Sequence, residues 1–364
     1  MALRFAIPEV KGRGAGLGND LFPWAKAHIA AEELQLAALD PAWGLNPRRY
    51  WRYFGKSRLD WLRNRALPRL LPSFRFTEAD YRATGCDDYG DAISVWAKEK
   101  GLSSHAPLVV VAEGMWGGFH GIRKARGFVL SRLYGARGAV ERLYRVRRLI
   151  DSESLVVAMH IRMGDFSPAT AGVDFKGRFD LSLPLDWFIG VRDCIRAALG
   201  KRVRFVVVSD GDPARQASLL GGPDTVVARS IGDNPCGDLL LLATADLLVC
   251  SVSSFSMWAA FLSQAPYIWF SGNLQEHEGY LSIWGHEPAQ RAPDGATLRH
   301  IQALRTCAAG VMPRGVPVGF DGVVPDHVFR LLEEMHGMRR TASDLVQYGV
   351  VPAGRLTGAV SQEH

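Results

Sequence analysis

The segment Leu155–Phe166, LVVAMHIRMGDF, constrains the fold of this 364-residue chain more than any other stretch. Leu155–Met159 is an apolar, valine-rich run, which is typical of a buried parallel strand, although a buried helical segment has a similar pattern. Polar or small residues follow this run: His160, Arg162, Gly164 and Asp165. Ligands of open α/β sheets bind at the carboxyl ends of strands, where a guanidinium suits phosphate oxygens. The residues alone predict either an anion site or a strand-end salt bridge between Arg162 and Asp165, with His160 simply packed.

From Leu155 onwards, strand patterns alternate with helical patterns, which predicts a parallel, Rossmann-like sheet. A chain of 364 residues exceeds what one hydrophobic core usually serves, so two domains are expected. We predict a first domain over residues 1–150 with a basic and aromatic insertion at 43–70. A second domain over 151–310 and a helical extension over 311–364 follow it.

The charge and the cysteine content indicate which partners the protein binds and in which compartment it lies. A net charge of +6 and a pI near 9.1 favour anionic partners such as a nucleotide diphosphate, an acidic membrane or a nucleic acid. The five cysteines are scattered without a C-x-x-C pair, which indicates reduced thiols rather than a disulfide framework or a zinc site. No signal peptide and no run of 18 apolar residues is recognisable, so we predict a cytoplasmic protein.

A glycine-rich turn, Gly12–Phe22, connects a predicted first strand, Leu3–Val10, to a helical pattern that runs to about Leu39. Backbone N–H groups at such a turn can bind an anion or another ligand, but ordinary turns before helices have the same composition. The spacing does not fit G-x-G-x-x-G, so a dinucleotide site is not supported.

The insertion at 43–70 is rich in arginine, has Asp60 as its only acid, and interleaves six aromatic residues between Trp43 and Trp61. The favoured interpretation is a helical insertion with packed aromatics and solvated arginines. Contact with an anionic membrane comes second, and nucleic acid comes last because no recognition module accompanies the patch. Residues 121–150 form a strongly basic amphipathic helix or helix pair.

Three further sites begin helices or follow strands of the second domain. Ser209 and Asp210 follow the predicted strand Val203–Val208, and Asp210 forms a D-x-D pair with Asp212 that could hold Mg²⁺ or Mn²⁺. The segment SVSSFS, residues 251–256, lies at a strand-to-helix turn and predicts either an anion site or a serine helix cap. Asp238, taken alone, is a charge at a helix N-terminus.

Four segments together resemble the fucosyltransferase superfamily that uses GDP-fucose, and the bacterial α-1,2-fucosyltransferases in particular. HIRMGD resembles the H-x-R-x-G-D motif of the superfamily. GLGNDLF is similar to G-L-G-N-Q-x-F, with Asp20 in place of glutamine, and SVSSFSMW is similar to N-S-S-F-S-x-W, with Val252 in place of asparagine. GDLLLLATAD is similar to the D-x-x-x-L-x-x-A-D segment.

The resemblance implies a GT-B-like α/β fold of two facing Rossmann-like domains with parallel sheets, the first on the acceptor side and the second binding the GDP-sugar. It implies an inverting, metal-independent transfer of fucose from GDP-fucose to a hydroxyl of a glycan, without a cofactor. Arg162 and the serine turn would stabilise the leaving GDP. The implied catalytic residues are Arg162, Asp165 and His160, with Asp165 as the general base and Asp174 as the second candidate for that role.

The resemblance and the strand-end positions together give a set of donor-binding residues: Gly18, Asn19, Arg162, Ser209, Asp210, Asp238, Ser253, Ser254 and Phe255. In this set, Asp238 would accept hydrogen bonds from the guanine edge. The predicted partners are the GDP-sugar donor, a glycan acceptor and an anionic membrane touched through 43–70 and 121–148, with no nucleic acid. Two alternatives stay open: a metal-dependent transferase that uses Asp210 and Asp212, and a catalytically silent GDP-sugar-binding protein.

Overall fold

The structure is a computed structural model that describes residues 3–10, 16–43, 47–55, 58–102, 104–164, 166–168, 181–263, 265–271, 275–277, 280–282 and 315–338. The predicted bases Asp165 and Asp174 lie outside these ranges. The chain divides into two compact units between Arg137 and Gly138, whereas the sequence placed residues up to 150 in the first domain.

The first unit is built on a four-stranded parallel sheet of order β2-β1-β4-β3. Its strands are β1 (Arg4–Pro8), β2 (Ala37–Ala38), β3 (Ser73–Phe76) and β4 (Leu108–Ala112). Its helices are α1 (Leu17–Glu33), α2 (Trp51–Phe54), α3 (Arg58–Leu70), α4 (Glu78–Thr84), α5 (Tyr89–Glu99), α6 (Gly118–Gly121) and α7 (Arg126–Gly135), with a 3₁₀ turn at Arg123–Ala125. The central strands are apolar and buried, since Ile7, Val109 and Val111 form a core cluster.

The predicted first strand is confirmed, but the prediction that the following helix runs to about Leu39 is wrong. Helix α1 ends at Glu33, and Gln35 then adopts a positive φ of 52°, which breaks the helical path. The apolar residues beyond this break join the sheet instead, where Ala37 and Ala38 pair with β1.

The second unit begins with helix α8 (Ala139–Arg147) and contains a six-stranded parallel sheet of order β14-β11-β10-β5-β8-β9. Its strands are β5 (Leu155–Ile161), the short parallel pair β6 (Ser167–Pro168) and β7 (Leu181–Ser182), β8 (Val203–Ser209), β9 (Thr225–Val227), β10 (Leu247–Val249), β11 (Tyr267–Phe270), the antiparallel pair β12 (Gln275–His277) and β13 (Tyr280–Ser282), and β14 (Gly315–Val318). Its further helices are α9 (Leu185–Leu199), α10 (Pro213–Leu220), α11 (Pro235–Ala243), α12 (Ser254–Leu262) and α13 (Asp326–Met338), with 3₁₀ turns at Gly200–Arg202 and Ala228–Ile231.

The structure confirms the predicted α/β class with parallel sheets. Every residue of β5 is buried, as expected for a parallel strand covered on both faces, and β5 lies between β10 and β8. The facing arrangement of the two domains stays a prediction. Within the described ranges, no helix is both long and apolar enough to cross a membrane.

Candidate functional site

The centre of the site is the carboxyl end of the second unit's sheet. Strands β10, β5 and β8 are neighbours, with Met159 beside Val249 and Ile161 beside Ser209. Because all three strands run in the same direction, the residues that follow them meet at one edge of the sheet. Sheet order therefore brings Arg162 close to two segments that are remote in sequence, at 209–212 and 251–256.

Arg162 is held at this edge through both its backbone and its side chain. Its backbone N–H donates to Ser251 Oγ at 3.3 Å, and its guanidinium forms an ion pair with Asp210. The guanidinium carbon also lies 4.8 Å from the centre of the Phe166 ring. The prediction that a carboxylate would orient Arg162 named Asp165, and among the described residues Asp210 has that position.

Asp210 organises the loop that follows β5. Its Oδ1 accepts hydrogen bonds from the backbone N–H groups of Met163 at 2.8 Å and Gly164 at 3.0 Å, while Oδ2 pairs with Arg162. A Cβ atom on Gly164 would overlap Oδ2, so the loop needs glycine at this position. The carboxylate thus holds two backbone donors and one guanidinium in a single cluster.

The two carboxylates of the D-x-D pair have separate protein partners. Asp210 binds the loop after β5, whereas Asp212 caps helix α10 and accepts from the N–H groups of Ala214 at 3.2 Å and Arg215 at 3.3 Å. Ser209, also predicted to bind the donor, accepts from the Gly211 N–H at 3.1 Å. In the part of the chain that the structure describes, no group of three or more His, Cys, Asp or Glu side chains could hold a metal ion.

The serine turn starts helix α12, and its N-terminus lies at the same edge as Arg162. Ser253 is the N-cap and accepts from the Phe255 N–H at 3.2 Å. Ser254 and Phe255 form the first turn and are partly exposed, whereas Val252, which replaces the expected asparagine, is buried. The helix N-terminus presents backbone N–H groups and a partial positive charge, and both favour an anion.

His160 lies inside β5 rather than after it, and it is buried. Its Nδ1 is 2.6 Å from Ser256 Oγ, and that hydroxyl accepts from the Ser251 N–H at 2.9 Å. Burial and, second, the charge of Arg162 lower the pKa of His160 to about 3, so the imidazole is neutral. A neutral Nδ1 can accept the Ser256 hydroxyl hydrogen. His160 therefore connects strand β5 to the serine turn.

Asp238 lies in the first turn of α11 and forms an ion pair with Arg142 of α8 at 2.9 Å. Burial raises the pKa of Asp238 to about 6, and Arg142 opposes that shift. This partner was not predicted, because Arg142 belongs to the basic stretch 121–148 that we predicted to contact an anionic membrane. Arg147 of the same stretch donates to the Thr244 carbonyl, so two arginines of 121–148 are directed into the unit.

In the first unit, the glycine turn enters helix α1, where Gly18 is buried and Asn19 is exposed. Asp20, which replaces the expected glutamine, is buried and accepts from Trp43 Nε1 at 2.9 Å. The Tyr50 hydroxyl accepts from the Leu17 N–H at 2.8 Å. Asn19 is therefore the predicted residue of this turn that remains accessible, while Asp20 belongs to the core around Trp43.

A second polar cluster, at the carboxyl end of the first unit's sheet, was missed by the sequence reasoning. Arg75 of β3 pairs with both Glu9, after β1, and Glu113, after β4. Lys26 is fully buried, donates to the Glu113 carbonyl at 3.1 Å, and lies 3.2 Å from the centre of the Trp116 ring. Glu9 lies near the end of the predicted first strand, which was a usable signal, whereas β3 and its arginine were not predicted.

No family model matches the chain, and no curated protein matches it. Among solved structures, the fucosyltransferase NodZ from Bradyrhizobium is similar over 78% of this chain and 100% of its own, with 15% identity and a TM-score of 0.43. The NodZ alpha-1,6-fucosyltransferase soaked with GDP-fucose aligns over 74% of this chain and 95% of its own, with 17% identity and a TM-score of 0.41. POFUT1 in complex with GDP-fucose aligns over 50% and 60%, respectively, with 18% identity and a TM-score of 0.30. Since these TM-scores are below 0.5, the case for a function lies in the residues of this chain.

Proposed function

We propose that the chain is an inverting glycosyltransferase that moves fucose from GDP-fucose to a hydroxyl of a glycan acceptor, such as a surface-polysaccharide or oligosaccharide precursor. One observation carries the proposal. Arg162, within a segment that resembles H-x-R-x-G-D, lies at the same sheet edge as the serine turn that resembles the fucosyltransferase segment. Each motif was identified separately in the sequence, and the backbone hydrogen bond from Arg162 to Ser251 brings them together.

The chemistry of this edge suits a leaving nucleotide diphosphate. Negative charge grows on the diphosphate as the glycosidic bond breaks, and a site stabilises it with donors that are already oriented. Arg162 supplies a guanidinium held by Asp210, and helix α12 supplies the partial positive charge of its N-terminus. These groups can stabilise the diphosphate without a metal, so metal independence is part of the proposal.

Inversion requires that the acceptor hydroxyl attack the face of the sugar opposite to the diphosphate while a base takes its proton. Asp165, which follows the Gly164 loop in the chain, is our proposed base, and Asp174 is the second candidate. His160 is neutral, buried and bonded to Ser256, so we assign it the positioning of the serine turn rather than proton transfer.

The test is a transfer assay with radiolabelled GDP-fucose and a panel of glycan acceptors, run in excess EDTA. The proposal expects transfer that EDTA leaves unchanged, that Arg162→Ala abolishes and that Asp165→Asn reduces. Loss of activity in EDTA would favour the metal-dependent alternative with Asp210 and Asp212. Binding of GDP-fucose without transfer to any acceptor would favour a catalytically silent GDP-sugar-binding protein.

We also propose peripheral contact with an anionic membrane at the cytoplasmic side, through residues 43–70. Helix α3 leaves three leucines exposed by 72%, 53% and 75%: Leu59, Leu62 and Leu70. Arg63 and Arg69 are exposed on the same helix, which gives the apolar surface and the positive charge that such contacts use.

The double substitution Leu59→Ser with Leu62→Ser should reduce co-sedimentation with vesicles that contain phosphatidylglycerol, whereas Leu219→Ser in the second unit should not. Equal sedimentation of all three proteins would contradict the contact.

A further inference from the structure

Helices α8 and α11 pack so closely that the Arg142 side chain lies against the first turn of α11. A Cβ atom on Gly237 would lie 2.5 Å from Arg142 Cγ and 2.6 Å from its Cβ, so a glycine is needed where the arginine crosses the helix. Gly138, with φ of 71°, starts α8 in a left-handed conformation that glycine adopts readily. As a result, the Arg142 side chain is only 4% exposed, although it belongs to a strongly basic segment.

The guanidinium of Arg142 engages one oxygen of Asp238. Its Nε and Nη2 atoms lie 3.0 Å and 2.9 Å from Oδ1, and Nη2 also donates to the Ala228 carbonyl at 2.8 Å. Asp238 Oδ2 accepts no hydrogen bond from the described residues, and the Asp238 side chain is 15% exposed. The pair therefore fixes the carboxylate in one orientation and leaves one of its oxygens for a ligand.

We infer that Arg142 is a positioning residue that holds Asp238 oriented and ionised, so that Asp238 Oδ2 selects a guanine base by accepting its N1–H and 2-amino hydrogens. This inference rests on the proposed function and names the residue behind its base specificity. Guanine presents two adjacent donors to a carboxylate, whereas the N1 atom of adenine is an acceptor. A carboxylate that rotated freely or carried a proton would lose this selection.

The charges around Asp238 show why the arginine is needed. Burial raises the pKa of Asp238, Asp233 raises it further, and Arg142 and Arg229 lower it, with a resulting value of about 6. Cys236, on the same turn, is buried and its pKa is raised, so it is a neutral thiol near this carboxylate. Without Arg142, one of the two opposing cations is gone, and the pKa of Asp238 should rise into or above the neutral range.

The experiment measures binding of GDP, inosine diphosphate and inorganic pyrophosphate to the full chain by calorimetry between pH 5 and 8.5. Inosine diphosphate lacks the 2-amino group, so the ratio of its Kd to that of GDP reports the contact with Asp238. We expect a ratio of about 10 or more for the wild type at pH 8, because a hydrogen bond to a charged group is worth about this factor or more. The ratio should fall towards 1 as pH drops through the Asp238 pKa, since a protonated carboxyl cannot accept both hydrogens.

Arg142→Met should reduce the ratio at pH 7 to near 1 and shift its pH midpoint upward, while pyrophosphate binds as in the wild type. Arg142→Lys keeps the charge but loses the two-point contact. The pH midpoint of its Kd ratio should therefore stay near that of the wild type, while the ratio itself should lie between those of the wild type and Arg142→Met. The matched control is Arg145→Met, one turn along α8 at an exposed position paired with Glu141.

Unchanged ratio and midpoint in both Arg142 variants would overturn the inference while the donor proposal stands. A wild-type ratio that does not vary with pH would overturn it even if Arg142→Met does not fold. Absence of GDP binding to the wild type would overturn the donor proposal and the inference together.

Discussion

At the carboxyl end of the second unit's sheet, Arg162 is paired with the single carboxylate of Asp210, which also binds two backbone N–H groups. At the corresponding end of the first unit's sheet, Arg75 is shared between two carboxylates, Glu9 and Glu113. Both sheets are parallel, so both edges are positions where α/β proteins bind ligands. The number of carboxylates differs, because Arg162 has one carboxylate partner, whereas Arg75 has two and the buried Lys26 lies beside one of them.

The difference shows what each edge can bind. Around Arg162, the serine turn and the start of α12 add donors, so the edge suits an anion such as a diphosphate. Around Arg75, an anion would meet the two carboxylates that already pair with the guanidinium, whereas the hydroxyl groups of a sugar can donate to carboxylate oxygens. Under the proposed function, the Arg162 edge would bind the nucleotide diphosphate sugar and the Arg75 edge the neutral glycan.

The largest expected effect is the loss of anion binding when Arg162 is replaced. Arg162→Ala removes the guanidinium and takes the ion-pair partner from Asp210, which should weaken GDP and pyrophosphate binding by about 100-fold. Calorimetry of the variant measures the loss. The control is Arg202→Ala, at the amino end of β8, which should bind like the wild type. Equal affinities of both variants would show that the anion lies elsewhere.

The next prediction concerns the neutral histidine beneath the serine turn. Its pKa is about 3 in the folded chain against an ordinary value of 6.5, so unfolding takes up a proton between these two pH values. Within this window, each unit of falling pH should cost about 1.4 kcal/mol of unfolding free energy from this group alone. Denaturant titrations from pH 4 to 7 should show a steeper pH dependence for the wild type than for His160→Gln. Identical slopes would contradict a neutral, buried His160.

A smaller effect is expected from crowding the Asp210 cluster. A Cβ at position 164 would overlap Asp210 Oδ2, so Gly164→Ala should displace the carboxylate and weaken pyrophosphate binding by about 10-fold, the equivalent of 1.4 kcal/mol. Gly127→Ala is the matched control, because nothing lies within 4 Å of an added Cβ there. Unchanged affinity in Gly164→Ala would mean that the Arg162–Asp210 pair does not shape the anion site.

The smallest effect is expected in the first unit. Arg75→Met leaves Glu9 and Glu113 without their shared cation, but all three side chains are partly exposed, so the loss of stability should be about 1 kcal/mol. Thermal unfolding measures this loss. Pyrophosphate binding to Arg75→Met should equal that of the wild type. A large decrease would mean that the anion binds at the Arg75 edge and not at the Arg162 edge.

The sequence predicted the strands that form the second site, because β5, β8 and β10 are short apolar runs followed by polar residues. It did not predict the partner of Arg162, because the ion pair with Asp210 depends on β5 lying beside β8, and strand order is not encoded in local periodicity. Arg142 was missed for a similar reason. The burial of Arg142 depends on the absence of a side chain at Gly237 of α11. The periodicity of α8 does not show that α11 is the helix packed against it.

The most direct test of the account is calorimetry of the wild-type chain with GDP, GDP-fucose and UDP, each with and without excess EDTA. We predict that GDP and GDP-fucose bind with affinities that EDTA does not change, and that UDP binds at least about 10-fold more weakly, as expected when one charged hydrogen bond to the base is lost. Equal binding of UDP, or binding that EDTA removes, would contradict a guanine-selective site that holds a diphosphate through Arg162 and the serine turn.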